Sequence, residues 1–193
     1  MHTVGGRVMR VRFLSKNTNK FAEVSAILGP IGIEVIPVAI PIQELQADNA
    51  EVLVRDKVLR AFGQLGHRIF VEHTGLFLDA LNGFPGGLTQ PFWDALQPER
   101  FCELFGRGER RSLTAKTWIG YCDGRRIYQF RGEIEGSIAP EPRGDRTFQW
   151  DCVFIPNGHK ETFAEMGERK NTISMRRKAL DSFAIHLKDE MNA

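Results

Sequence analysis

The chain of 193 residues carries 26 Lys and Arg against 24 Asp and Glu, a net charge of +2, with 42% hydrophobic and 26% charged residues. That composition excludes a disordered or collagen-like chain, and the near-neutral balance gives no strong pull toward nucleic acid or an acidic membrane surface. The length suits a single domain spanning 1–193, built from two lobes.

In chain order, Val8 to Leu14 alternates enough to predict a strand, followed by a polar loop, Ser15 to Asn19. From Lys20 the positions Phe21, Val24, Ile27 and Leu28 fall at helical spacing, and Gly29-Pro30 stops the pattern. A second strand is predicted at Glu34 to Ala39. A second helix covers Val52 to Leu65, with Val54, Val58, Ala61, Phe62 and Leu65 on one face and Gly66 at its end. Arg68 to Val71 then runs extended into a polar corner, Glu72-His73-Thr74-Gly75, and Asn82-Gly83-Phe84-Pro85-Gly86-Gly87 reads as a surface loop beside a site. A third helix is expected near Phe92 to Phe105. Ser112 to Tyr121 and Arg126 to Ile134 flank an Asp123-Gly124 turn, a strong hairpin signal. The last helix, Ile173 to Met191, aligns Met175, Ala179, Leu180, Phe183, Ala184, Leu187 and Met191 in one core-facing stripe. Strands interspersed with helices, plus an antiparallel hairpin, give an α/β fold with a mixed sheet.

The longest nearly apolar stretch, Ile33 to Ile42, is broken by Glu34, Pro37 and Pro41, and the opening MHTVGGRVMRVR lacks an apolar core, so neither a membrane span nor a secretory signal is expected. Cys102, Cys122 and Cys152 have no disulfide or zinc spacing; they read as reduced core residues of a cytoplasmic protein. His2, His67, His159 and His186 show no metal-ligand spacing, and Trp93 and Trp118 read as core or interface residues.

Three features carry chemistry. Ser15-Lys16-Asn17-Thr18-Asn19-Lys20 offers hydroxyl, amide and ammonium donors at a helix start, as a phosphate cradle requires, although Ser or Asn there also serves as an ordinary N-cap. Glu44, Glu72, Asp79 and Asp151 each border an apolar run and include candidates for holding Mg²⁺ against a triphosphate, with surface carboxylates the plainer reading. Between Glu168 and Lys178, five cations surround a helix start bearing Ser174; cations there oppose the helix dipole, which a bound anion explains and a solvated basic face also accommodates.

In this order the three features resemble the inosine/xanthosine triphosphate pyrophosphatase (ITPase) family over Val11 to Leu187. Its [ST]-x-N-x-x-K opening matches Ser15, Asn17 and Lys20, its acidic residue after the second strand Glu44, and its helix lysine Lys57. Its E-D-[ST]-x-L motif matches Glu72-His73-Thr74-Gly75-Leu76, and A-L-x-G-x-P-G is intact from Ala80 to Gly86. F-G-[WY]-D matches Phe148-Gln149-Trp150-Asp151, A-E-M matches Ala164-Glu165-Met166, and K-N-x-[IV]-S-H-R matches Lys170 to Arg176. The resemblance implies a two-lobed α/β fold with a twisted mixed sheet and a central nucleotide-binding cleft, usually in a homodimer. It implies ITP, dITP or XTP as ligand, with Mg²⁺ and an acidic residue activating water against the α-phosphorus. Ser15, Asn17, Lys20, Lys57 and Lys170 then grip phosphates, and Glu44 binds the metal. Trp150, Asp151 and Arg176 lie by the purine, with Arg176 donating to the 6-oxo oxygen, and Phe148 and Ser174 are further substrate-binding residues.

The departures fall on the chemistry. His73 stands where the family has its essential aspartate, Gln90 where it has Lys or Arg, Gln149 where it has glycine, and Met175 where it has histidine. Two readings follow. In one, the protein binds the nucleotide as a catalytically impaired sensor or regulatory subunit, by analogy with ITPase-like subunits beside NAD-degrading effectors of bacterial antiphage systems, and so has an effector partner. In the other it is an active pyrophosphatase in which Glu72 or Glu44 supplies the lost carboxylate and His73 serves as general base. The sequence reading favours the sensor.

Overall fold

The computed structural model describes residues 9–192; Val8, expected to open the first strand, and His2 lie outside them. The strands are β1 (Met9–Leu14), β2 (Ile33–Val38), β3 (Ile69–Leu78), β4 (Pro85–Gly86), β5 (Ser112–Cys122), β6 (Ile127–Ile138) and β7 (Phe154–Pro156). The helices are α1 (Thr18–Leu28), α2 (Ala50–Leu65), α3 (Thr89–Phe105), α4 (Phe163–Met166) and α5 (Met175–Asn192). The strands form one mixed sheet in the order β2-β1-β3-β5-β6-β7, with β4 on β3; β2, β1 and β3 are parallel and the remaining pairs antiparallel. This is the α/β fold with a mixed sheet that the sequence predicts.

Alternation along the strands separates two apolar layers. Val11, Phe13 and Phe70 pack against Val24 and Leu28 of α1 and Leu180 and Phe183 of α5. Leu14, Ile69, Val71 and Trp118 pack against Leu53, Val54 and Val58 of α2 on the other face. A third cluster gathers Trp93, Phe101, Trp150, Phe154 and Phe163. Each fully buried Phe contributes about 1.5–3 kcal/mol relative to an exposed one.

The helix boundaries follow local chemistry. Asn17 caps α1 and Asn49 caps α2, each side chain accepting first-turn backbone N–H groups, and Gly66 ends α2 in the left-handed region at φ 68°. The Asp123 carboxylate accepts the N–H groups of Arg125 and Arg126 and closes the β5-β6 hairpin. The three cysteines are buried and free; burial raises Cys102 to about 12 and Cys152 to about 11, as befits core thiols. Among the described residues no helix is long and apolar enough to cross a membrane.

Some expectations need correction. Glu72 to Gly75 is no corner but the middle of β3. Of the Asn82 to Gly87 segment, Pro85, Gly86 and Gly87 are buried and Pro85–Gly86 pairs with β3, so only its tip around Phe84 is surface. A Cβ on Gly75 would lie 2.4 Å from the Gly86 carbonyl oxygen, so this approach requires glycine. The third helix begins at Thr89 and breaks at Gln97 before Pro98, and the last begins at Met175, after a 3-10 turn. Met191 is exposed rather than part of the core stripe.

Candidate functional site

The parallel part of the sheet creates a crevice. From β1 the chain passes through α1 to β2 on one side, then through α2 to β3 on the other, with α1 and α2 on opposite faces. Ligand crevices form at such a switch point, outside the carboxyl ends of the strands. β1 stops at Leu14, opposite Val71, whereas β3 continues to Leu78. Glu72, His73 and Thr74 therefore sit on a strand edge that β1 leaves open. Glu72 faces α1 and α5 and His73 faces α2, yet both border the cleft because the sheet ends there.

The cleft has a volume of about 280 Å³ and is lined by Ser15, Asn17, Lys20, Glu44, Lys57, Glu72, His73, Gln90 and Gln149, among others. Ser15 Oγ accepts the Asn17 N–H at 3.1 Å and Asn17 Oδ1 accepts the Lys20 N–H at 3.1 Å, so the loop both caps α1 and is held in shape at the cleft. Lys20 Nζ is 3.3 Å from Glu72 Oε2, and Lys57 Nζ is 2.9 Å from Glu44 Oε1. Thr74 Oγ1 donates to Glu72 Oε1 and shares a hydrogen bond with Thr117.

From Glu72 a line of buried charges leads to the residues assigned to the purine. Arg176 Nε lies 3.4 Å from Glu72 Oε2; Glu23 binds both Arg176 and Lys170, the latter at 2.6 Å; Lys170 also pairs with Asp151. Lys170 Nζ sits 4.1 Å over the Phe148 ring and the Arg176 guanidinium 5.6 Å from it, giving Phe148 two cation–π contacts. Phe148, Asp151 and Lys170 border a separate cavity of about 130 Å³. The start of α5 reaches this position because β6 carries Gly132, where a Cβ would be 2.1 Å from the Met175 carbonyl oxygen. Ser174 accepts the Arg177 N–H at 3.1 Å, as a cap does.

Several assignments change. Trp150 packs in the core, its ring 5.8 Å from that of Phe154, and lines neither cavity. Asp79 is exposed outside the cleft, Asp151 is engaged by Lys170, and no three His, Cys, Asp or Glu residues among those described group as metal ligands, so the four carboxylates do not form one cluster. The cations near the start of α5 have protein partners: carboxylates for Lys170 and Arg176, Asp181 for Arg177, and the Glu133 carbonyl for Lys178. Glu23, on the helix that follows the opening motif, is the residue to which the sequence assigns no site role. Its signal was position, one turn after Lys20 on the same face of α1.

Electrostatics follow from this arrangement. Burial pushes the Glu72 carboxyl up, but Arg176 and Lys20 outweigh it and hold it well below the usual carboxylate range. Burial lowers Lys20 despite Glu72. Burial and Lys20 depress His73 to about 4, so its imidazole is neutral at pH 7. Burial raises Asp151 to about 6 against the pull of Lys170. The Glu72 and Glu23 carboxylates overcome desolvation and raise Arg176.

Comparison with known proteins places this geometry in a family. The sequence pattern of the Ham1 family matches residues 11–186. A dITP/XTP pyrophosphatase of Methanopyrus kandleri is 40% identical over 185 residues, covering 95% of this chain and 98% of that protein. An inosine triphosphate pyrophosphatase of Yarrowia lipolytica is 38% identical over 185 residues, covering 94% and 97%. The solved structure of a HAM1 protein from Coxiella burnetii superposes with a TM-score of 0.81 at 27% identity, covering 94% of this chain and 99% of that one. With a switch-point cleft, the polar loop at its mouth and these likenesses over nearly its whole length, the chain belongs to the Ham1 family of ITPase-like proteins.

Proposed function

We propose that the cleft binds the triphosphate of a deaminated purine nucleotide, dITP, ITP or XTP, and hydrolyses it to the monophosphate and pyrophosphate, with a chemical step slowed by His73. The observation that carries this reading is the convergence of Lys20, Lys57, Glu44 and Glu72 on one cleft whose mouth is the Ser15 to Lys20 loop. The names of the Methanopyrus and Yarrowia relatives support the reaction and the purine class.

The donor set fits Mg²⁺. Glu44 is a half-exposed carboxylate in the cleft, paired with Lys57, and Glu72 Oε2 is buried at its floor between Lys20 and Arg176. Mg²⁺ takes one or two carboxylates together with substrate phosphate oxygens, so Glu44 and Glu72 are the residues to hold it. When bound it polarises phosphoryl oxygens and acidifies water. Lys20 and Lys57 neutralise phosphate charge, and each must exchange part of its present carboxylate contact for the ligand. At the other end Phe148 offers a ring face. Arg176 has donors beyond those engaging Glu23 and Glu72 for a purine 6-oxo oxygen; adenine would present an amino group there and leave a donor unpaired. His73 contributes no charge at neutral pH, and with a pKa near 4 it is a weak proton acceptor for water.

That last feature favours a second reading, a sensor that retains its nucleotide and signals to an effector protein. One experiment separates them: incubate the protein with dITP and Mg²⁺, then measure released pyrophosphate and bound intact dITP on the same sample. Catalytic release supports the enzyme; stoichiometric, unhydrolysed dITP supports the sensor; neither release nor binding removes both.

A further inference from the structure

The phosphate end and the purine end of the site meet at one position. Phe148, whose ring lies beside Lys170 and Arg176, borders the smaller cavity and is followed directly by Gln149. Gln149 opens the 3-10 turn Gln149–Cys152 and is the residue through which that turn reaches the wall of the main cleft, where Ser15, Asn17, Lys20 and Lys57 stand. Neighbouring Cα atoms are about 3.8 Å apart. A nucleotide with its phosphates in the cleft and its purine on Phe148 therefore carries its sugar past Gln149.

The side chain there is held in place. Gln149 Nε2 donates to Gln90 Oε1, and Gln90 Nε2 donates to Asp94 Oδ1 at 2.8 Å, so two amides anchored on a carboxylate tie the turn to the start of α3. The tie forms although Gln149 sits at φ 46°, in the left-handed region that a glutamine disfavours, and strained residues of this kind cluster where ligands are clamped. Among the described residues Gln149 Oε1 accepts no hydrogen bond and the second Nε2 hydrogen finds no acceptor, while the residue is only part-buried. A neutral amide does nothing to neutralise a phosphate, and in the proposed complex Arg176 serves the purine oxygen. A hydroxyl, which both donates and accepts, is the group that matches one free donor and one free acceptor. We infer that Gln149, held by Gln90, is a sugar subsite whose amide hydrogen-bonds a hydroxyl of the nucleotide's ribose or deoxyribose. The inference rests on the proposed reading of the cleft as a triphosphate site and adds recognition of the sugar. Because the tie fixes the amide beforehand, little side-chain freedom is lost when the hydroxyl arrives.

The test uses the full chain with Mg²⁺ and the α,β-methylene analogues of ITP, dITP and 2′,3′-dideoxy-ITP, which resist hydrolysis, with inorganic tripolyphosphate as a ligand that has no sugar. Calorimetry with the dITP analogue and tripolyphosphate comes first; binding of neither overturns the cleft reading, and the sugar subsite falls with it. In the parent the dideoxy analogue is expected to bind about three- to tenfold more weakly than the ITP analogue, the range of a neutral hydrogen bond. The dITP analogue then matches ITP where the 3′-hydroxyl is read and the dideoxy analogue where the 2′-hydroxyl is read. Gln149→Asn keeps a residue that tolerates the left-handed region but shortens its reach, and is expected to bring the nucleotide analogues within about 1.5-fold of one another while tripolyphosphate binds as before. The ratio is taken within one variant, so a general loss of affinity or of fold does not imitate the effect. Gln90→Met removes the group that positions Gln149 and is expected to reduce the preference by about half or more, and a preference as large as the parent's overturns the part given to Gln90. Equal binding of the nucleotide analogues by the parent, or the parent's ratio persisting in Gln149→Asn, overturns the sugar subsite while leaving the cleft reading intact.

Discussion

The sharpest test of the proposed reaction is His73→Asp. With a pKa near 4, His73 is protonated at pH 7 in only about one molecule in 10³, so it places no charge in the cleft. An aspartate there carries a full negative charge facing Lys20 and Lys57, the cations that act on His73. At an effective dielectric of ~20 a pair of unit charges gains about 4 kcal/mol at ~4 Å and less when farther apart, and two cations against the one Glu44 carboxylate favour the ionised form of the new aspartate. Glu72, the nearest like charge in sequence, points to the opposite face of β3 and remains neutralised by Arg176 and Lys20. A positioned general base contributes typically 10²–10⁴-fold. Pyrophosphate release from dITP with Mg²⁺ is accordingly expected to rise by at least ~100-fold, a barrier lowered by about 2.7 kcal/mol. Release would be followed by a coupled phosphate assay, with calorimetry on the same preparation reporting dITP affinity. A variant that binds dITP as tightly as the parent yet gains less than about threefold refutes the idea that His73 limits the chemistry.

The same histidine predicts a pH dependence of stability. Its folded-state value near 4 lies below the ~6.5 of an unfolded chain, so its contribution is full above pH ~6.5 and is lost as the pH falls toward 4, about 3 kcal/mol in all. Asp151, raised to about 6, slopes the other way between ~3.8 and 6, since the folded state there holds the proton more tightly. Wild type is therefore expected to vary little through this window on their account, and urea denaturation of His73→Asn should reveal stability that increases as the pH is lowered from 6 to 4; a curve parallel to wild type contradicts the assignment. Gln149 has φ 46°, in the left-handed region, so Gln149→Gly should stabilise the fold by about 1 kcal/mol, read as a Tm increase of ~2–4 °C, and a decrease would mean that its hydrogen bond to Gln90 outweighs the strain. Lys20→Ala is expected to weaken dITP at least ~100-fold in calorimetry, because charge-assisted phosphate contacts are strong, and also to lower the melting temperature, because the buried Glu72 keeps only Arg176; unchanged dITP affinity would contradict the phosphate role. Arg176→Ala should cost ~3–5 kcal/mol of stability by removing the cation that Glu23 and Glu72 share, leaving two buried carboxylates with one lysine each, and an unchanged melting curve would rule that out.

Much of the frame was legible because it depends on local signals. The Asn17 cap, the Gly66 stop, the stripe along α5 and the Asp-Gly hairpin each declare themselves within a few residues. β3 was only half legible. Glu72, His73 and Thr74 break the apolar run and read as a corner, yet they continue the strand, because β1 ends at Leu14 and polar side chains beyond that point meet the cleft rather than a neighbouring strand. Nothing near Glu72 in sequence reveals where β1 stops. Trp150 shows the reverse case: a motif places an aromatic by the ligand, and the 3-10 turn over Gln149–Cys152 packs that ring against Phe154 in the core, leaving Phe148 beside the cations.

The basic segment before α5 shows why composition misleads at such a site. A run of cations at a helix start invites an anion, and the chain supplies its own: Glu23 reaches Arg176 across 153 positions of sequence. Lys20, Glu72, Arg176, Glu23, Lys170 and Asp151 form a chain of alternating charge, three cations against three carboxylates, that runs from the loop after β1 to the turn after Phe148. Such a chain has no net charge, so ordering it costs less than burying its cations alone. It also limits what any one member can give a ligand. On the proposed reading, a phosphate that takes Lys20 would leave Glu72 to Arg176, and a purine that takes Arg176 would draw on the same carboxylates, so the two ends of the nucleotide would share one set of partners. In the proposed complex the phosphate and base ends would therefore be coupled through Glu72 and Glu23, which makes Glu23 as much a part of the proposed site as the Lys170 and Arg176 that it holds.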